Sequence, residues 1–184
     1  MSKITFITGN QKKADFLSKH IGYEVGHLPL ELDEIQSLDL RKITEHKVRQ
    51  AFVKIKSPVL VEDVSLKFKA LGNLPGPFIK WFLEELGNEK MCRLLDIYKD
   101  RSAVGEMYFA YFDGEEIKFF ESTATGTISE RPRGEHGFGW DPIFIPDGST
   151  KTYGEMAEEE FRHFGIRHAI FPKIKEFLLK LDKK

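Results

Sequence analysis

A short apolar strand, Ile4 to Thr8, runs into Thr8-Gly9-Asn10, and Lys12 and Lys13 follow at once. A strand that breaks at a glycine and restarts as a helix exposes backbone N–H groups at its carboxyl end, where α/β sheets bind ligands. Those groups and the positive end of the helix dipole favour an anion, and the lysines add full charges. TGNQKK therefore admits a phosphate cradle or a solvated surface turn. A second set lies in VLVEDVSL, where Glu62 and Asp63 follow the apolar run Val59-Leu60-Val61. That run reads as a buried strand ending at the acids. Adjacent carboxylates at a strand end suit a hard cation such as Mg²⁺, with Glu34 of ELDEIQ joining from a nearby loop, or else they are ordinary exposed acids. In HGFGWDP, Phe138 and Trp140 alternate with glycines. Rings in such a loop either stack on a nucleobase, with Asp141 accepting base N–H groups, or fold back to plug the core. Phosphate positioning, metal and base stacking are the three needs of a nucleoside triphosphate.

The elements around these groups follow from periodicity and punctuation. Residues 4–8 read as a strand, 11–21 as a helix stopped at Gly22, 24–30 as a weaker strand, and 39–55 as a longer helix stopped by Pro58. Helices are expected at 78–86 and 88–98, and strands at 102–112 and 116–129 around the hairpin signal Asp113-Gly114. RPRGEHGFGWDP reads as a loop, PIFIP as a strand, and 155–161 and 167–181 as closing helices. Early alternation of strands and helices with a hairpin in the middle argues an α/β fold with a mixed sheet.

Composition limits the function classes. The chain has 184 residues, 41% of them apolar, which fits one domain over residues 1–184 with a single core, or two small lobes sharing one. Basic and acidic residues number 28 and 29, so no global charge draws the chain to nucleic acid or a membrane surface. An anionic ligand needs a local basic cluster instead. No stretch reaches the ~18 apolar residues of a bilayer span. Met1-Ser2-Lys3 leads into a strand pattern without the apolar run of a signal peptide, and the one cysteine, Cys92, is consistent with a reducing cytosol.

With those residues in view, the chain resembles the inosine triphosphate pyrophosphatase family almost end to end. TGNQKK fits the family's Thr/Ser-x-Asn-x-x-Lys loop, and LVEDVSLKFKALGNLPGPFIKWFLEEL, FGWDPIFIPDG and TYGEM also fit. The resemblance implies hydrolysis of ITP, dITP and XTP to the monophosphate and pyrophosphate with Mg²⁺. It also implies an elongated α/β fold with a central mixed sheet, an active-site cleft between two lobes, and a cytoplasmic homodimer. By position, Thr8, Gly9, Asn10 and Lys13 are expected to hold phosphates, with Lys47 and Lys80 as further cationic contacts. Glu34, Glu62 and Asp63 are expected at the metal, with Asp63 also activating water. Phe138, Gly139, Trp140, Asp141 and Arg167 are expected at the purine.

One segment departs from the family pattern. In EMAEEEFRHFGIRHAIF, Phe161 stands where the family has lysine, and Gly165-Ile166-Arg167 replaces Ser-His-Arg, so only the arginine is kept. Arg167 can still donate to a 6-oxo group, which separates inosine and xanthine from adenine. Arg162, His163 and His168 are the nearby candidates for the lost donors. Two alternatives stand beside the pyrophosphatase: a related enzyme with relaxed base selectivity, and a nucleotide-binding module without catalysis. The retained acids argue against the second.

Overall fold

The computed structural model describes residues 4–183. Met1, Ser2 and Lys3, read from the sequence as leading into the first strand, lie outside the described residues. Strands β1 (Thr5–Ile7), β2 (Gly26–Leu28), β3 (Val59–Phe68), β4 (Pro75–Gly76), β5 (Ser102–Phe112), β6 (Ile117–Ile128) and β7 (Phe144–Pro146) form one sheet in the order β2-β1-β3-β5-β6-β7, with β4 pairing β3. β1 pairs in parallel with β2 and β3, whereas β3–β4 and β6–β7 are antiparallel, so the sheet is mixed as expected. Helices α1 (Gln11–His20), α2 (Leu40–Ile55), α3 (Ile79–Arg93), α4 (Glu158–Phe164) and α5 (Ile166–Leu181) accompany it. The chain divides into two compact units, residues 4–63, 107–122 and 169–183 in the first, and 64–106 and 123–168 in the second.

In the first unit, strand alternation sorts side chains onto two faces. Ile7, Val59, Val61, Ala110 and Phe112 point one way and meet Val48 and Ala51 of α2. Phe6, one residue from Ile7, points the other way and meets Phe109, which packs on Phe171 of α5; Phe171 in turn meets Phe16 of α1. Helix α2 forms because Leu40, Ile43, Thr44, Val48 and Ala51 recur on one stripe and Asp39 caps its start, accepting the Lys42 N–H at 3.2 Å. It stops at Lys56, held in the left-handed conformation with its N–H on the Phe52 carbonyl. The buried aliphatics contribute ~1.5–3 kcal/mol each and the cap ~1, so packing, not capping, decides that this helix exists.

The second unit packs Trp140, Phe144 and Tyr153 ring against ring, with centroids 5.2–6.0 Å apart. Arg101 donates to the carbonyls of Cys92, Ile128 and Ser129, which joins the end of α3 to the end of β6. Cys92 is buried there, and desolvation pushes its thiol up to about 11.

Three expected boundaries are corrected. Helix α3 is broken at Gly87, as the two expected segments imply, but ends at Arg93, well short of Tyr98. The helix expected at 155–161 is a 3-10 turn, Tyr153–Glu155, followed by α4. Met156 and Ala157 are extended between them, and the Glu160 carboxylate accepts the Ala157 N–H to restart the helix. The third concerns β3, which does not end at Val61 but continues through Glu62 and Asp63 to Phe68. Among the described residues no helix is long and apolar enough to cross a membrane.

Asp39→Ala should lower the stability of the protein by about 1 kcal/mol, read as a shift of the urea midpoint with an unchanged slope.

Candidate functional site

The first unit gathers most of the charged candidates. Asn10 caps α1: its side chain accepts the Lys13 N–H at 3.3 Å, and its own N–H bonds the Thr8 hydroxyl at 3.1 Å. The turn Thr8-Gly9-Asn10 therefore holds its shape by local bonds, with Gly9 and Asn10 exposed. Lys13 lies on the inward stripe of α1 with Ala14 and Leu17, and Lys47 on that of α2 between Thr44 and Ala51. A lysine on a core-facing stripe needs an anion within reach. Strand β3 supplies one to each. The Lys13 ammonium lies 3.1 Å from Glu62, whose side chain is 2% exposed, and the Lys47 ammonium lies 2.9 Å from Asp63.

Because Glu62 and Asp63 are consecutive within a strand, they face opposite sides of the sheet, Glu62 toward α1 and Asp63 toward α2. The expectation of two adjacent acids opening together past a strand end is thereby corrected. Glu34, from the loop before α2, joins Asp63 instead. Its carboxylate is 3.1 Å from the same Lys47 ammonium. Among the described residues there is no group of three or more His, Cys, Asp or Glu placed to hold a metal. The arrangement is two carboxylates about one ammonium.

Burial pushes the Asp63 pKa upward, and the Lys47 and Lys13 charges oppose this without reversing it. Burial works against the Lys47 charge too, but the Asp63 and Glu34 carboxylates outweigh it and raise its pKa. Lys47 thus stays charged while Asp63 becomes a stronger base than a free aspartate. His27 escaped the sequence reading altogether. Its Nε2 is 2.9 Å from the Thr8 carbonyl, an oxygen that only accepts, so that nitrogen carries the proton and braces the turn from β2. A histidine in a weak three-residue strand gives no signal for this.

The second unit holds the ring candidates. Phe138 is half-buried, and the Arg167 guanidinium lies 4.4 Å from its ring centroid. Asp141 is buried, and its Oδ2 accepts the Phe138 N–H at 2.8 Å. Trp140, for which stacking on a base and plugging the core both stood open, is 4% exposed and fills the core against Phe144 and Tyr153. The two rings are not presented alike. Lys80 is exposed in the first turn of α3, 4.8 Å over the Trp81 ring.

The match to the Ham1 family model spans residues 4–177. The chain belongs to the Ham1 family. It is 43% identical over 164 residues to "Inosine triphosphate pyrophosphatase 2" of Trypanosoma cruzi, covering 86% of this chain and 83% of that one. It is 38% identical over 180 residues to the inosine triphosphate pyrophosphatase of Yarrowia lipolytica, covering 95% of each. Among solved structures, a HAM1 protein from Coxiella burnetii matches with a TM-score of 0.83 over 98% of this chain and all of that one, at 23% identity, which speaks to fold. A nucleoside-triphosphatase, titled dITP/XTP pyrophosphatase, from Mycobacterium abscessus matches at 0.72 over 91% and 95%, at 25% identity.

In this Ham1 protein the departing segment packs inward. The Phe161 ring stands edge-on between Tyr153 and His168, with centroids at 5.2 and 5.5 Å. Arg162 pairs with Glu158 one helical turn away on the exposed face of α4, and His163 packs on Phe164. Arg167 is the cation of this segment that meets Phe138.

The Asp141 carboxyl gives this loop a pH signature. Burial raises its pKa from 3.8 to about 6, against the Arg167 charge and the Phe138 N–H. A raised acid stabilises the fold when protonated. That contribution is complete below pH ~4 and is lost as pH rises through 6, up to about 3 kcal/mol. Asp141→Asn keeps an acceptor for the Phe138 N–H without titrating. In urea unfolding, wild type should therefore lose stability relative to Asp141→Asn between pH 4 and 7.

Proposed function

We propose that this protein hydrolyses non-canonical purine nucleoside triphosphates, ITP, dITP and XTP, to the monophosphate and pyrophosphate with Mg²⁺. Such a reaction clears damaged nucleotides from the pool. The relatives named inosine triphosphate pyrophosphatase support the reaction class. The observation that carries it in this chain is the Lys47 ammonium held by Glu34 and Asp63, beside a capped strand-turn-helix that presents Lys13.

The donor set fits the ion. Mg²⁺ takes one or two carboxylates, keeps several waters and reaches substrate phosphates, so Glu34 and Asp63 suffice without a third protein acid. When bound, the ion would neutralise charge on the phosphate oxygens. Glu62 acts through Lys13, holding its ammonium in place. Thr8, Gly9, Asn10 and Lys13 take the phosphates, helped by Lys47 and Lys80. A Cβ on Gly9 would meet nothing within 4 Å, so the protein itself leaves room there for a close approach. Asp63 accepts a proton from water as its oxygen bonds to the α-phosphorus and the bond to the departing pyrophosphate breaks. Lys13 and Lys47 meet the charge that develops. Phe138 stacks on the purine, with Gly139, Trp140 and Asp141 shaping its loop and Arg167 donating to a 6-oxo group. The same reading carries a cytoplasmic homodimer with a small-molecule substrate and no nucleic-acid or membrane partner.

A second reading, relaxed base selectivity, is favoured by the inward packing of Phe161. It leaves no lysine at that position to help Arg167 choose the base. Comparable turnover of ATP and ITP would select it.

With Mg²⁺, ITP and XTP should yield monophosphate and pyrophosphate. Diphosphate and inorganic phosphate as products would refute the reaction. Asp63→Asn should lower kcat at least ~100-fold, the scale of a lost general base, with ITP still bound by calorimetry. Gly9→Ala should leave the thermal midpoint within about 2 °C, because its Cβ is unopposed by protein, and raise KM for ITP.

A further inference from the structure

Phe138 is flanked by Gly137 and Gly139, both in the left-handed region at φ 74° and 69°. Glycines on each side leave a stacking residue with little intrinsic rigidity. A ring that must meet a base in one orientation needs its backbone held from outside. One tether is internal to the loop, the Phe138 N–H on Asp141 Oδ2 at 2.8 Å. Another comes from α3, where Asn88 donates from Nδ2 to the Gly139 carbonyl at 2.9 Å. The break at Gly87, with φ 67° and ψ 170°, puts Asn88 at the start of a new helical segment. The Asn88 Oδ1 is buried and has no hydrogen-bond partner among the described residues, so the Gly139 contact sets the orientation of the amide.

We propose that Asn88 is a positioning residue for purine recognition, acting through the Gly139 carbonyl to hold Phe138 in its stacking orientation. The inference rests on the reading of Phe138 as the purine platform and goes beyond it by assigning α3 a share in base recognition. Removing Asn88 takes away a buried acceptor without a partner among the described residues along with the donor, so fold stability changes little while the loop loses the tether that comes from α3.

The test is steady-state kinetics of the full chain with ITP and Mg²⁺, with inorganic triphosphate as a competitive inhibitor that has no base. Asn88→Ala should raise KM for ITP about three- to tenfold, the factor one hydrogen bond carries, with kcat within twofold. Inhibition by inorganic triphosphate should not change. In a Phe138→Ala background, Asn88→Ala should add no further rise, since the tether then has no ring to place. Asn88→Asp keeps the size and suits a helix start, yet turns an acceptor toward the Gly139 carbonyl, so it should raise KM at least as much. An unchanged KM, the same rise in the Phe138→Ala background, or a parallel loss of triphosphate inhibition would overturn the assignment. A wild type that releases no pyrophosphate from ITP overturns the functional reading and this inference with it. A wild type that does so, with Asn88 variants of equal KM, overturns this inference alone.

Discussion

The placement of Lys13 and Lys47 in the first unit depends on the two-residue repeat of β3. Consecutive positions of a strand cannot look the same way, so Glu62 and Asp63 are obliged to serve different helices. Each helix answers with a lysine set into a mostly apolar stripe. Such pairs are not there for stability, since a buried ion pair seldom outperforms a hydrophobic contact of the same size. What they provide is a fixed place for cations that water would otherwise let wander. Glu62 tethers Lys13, and Asp63 with Glu34 tethers Lys47, so two ammonium groups are held before any anion arrives. Electrostatic groups that need no rearrangement are the ones that speed a reaction building negative charge.

The second unit meets a different need by the opposite means. Its recognition loop is rich in glycine and is ordered by bonds that come from elsewhere. Gly154 exchanges backbone hydrogen bonds with His136 and Asp141, and Thr152 bonds the Arg133 carbonyl. Trp140 anchors the loop by burying its ring, which leaves Phe138 as the ring at the surface. A rigid strand fixes charge in one unit, and a laced loop fixes an aromatic face in the other.

The parts of this arrangement that were legible in the sequence are the local ones. The helix starts at Gln11 and near Asp39 follow from a periodicity carried by neighbouring residues, and the break at Gly87 falls between the two helices expected at 78–86 and 88–98. The strand β3 was cut short because two acids after Val-Leu-Val look like the arrival of solvent. Only the lysines of two distant helices make it possible for charge to continue inside a sheet, and no window of sequence contains them both. Phe138 and Trp140 could not be told apart for a similar reason, since glycines in left-handed conformations erase the alternation that would have shown which ring turns inward. The helix expected from Glu155 hid a restart, because Met156 and Ala157 carry no breaker signal, and the extended pair lies between the Thr152–Glu155 capping box and the Glu160 carboxylate that accepts the Ala157 N–H.

The burial of Cys92 has a practical consequence. A thiol whose ionisation is displaced to about 11 is almost wholly protonated in neutral solution, and it is shielded as well. The chain has no other cysteine. Maleimide and iodoacetamide dyes should therefore pass over the native protein, and a cysteine introduced on the surface would become its sole point of attachment. Fluorescent or spin probes can then be set at chosen positions without first removing anything from the core.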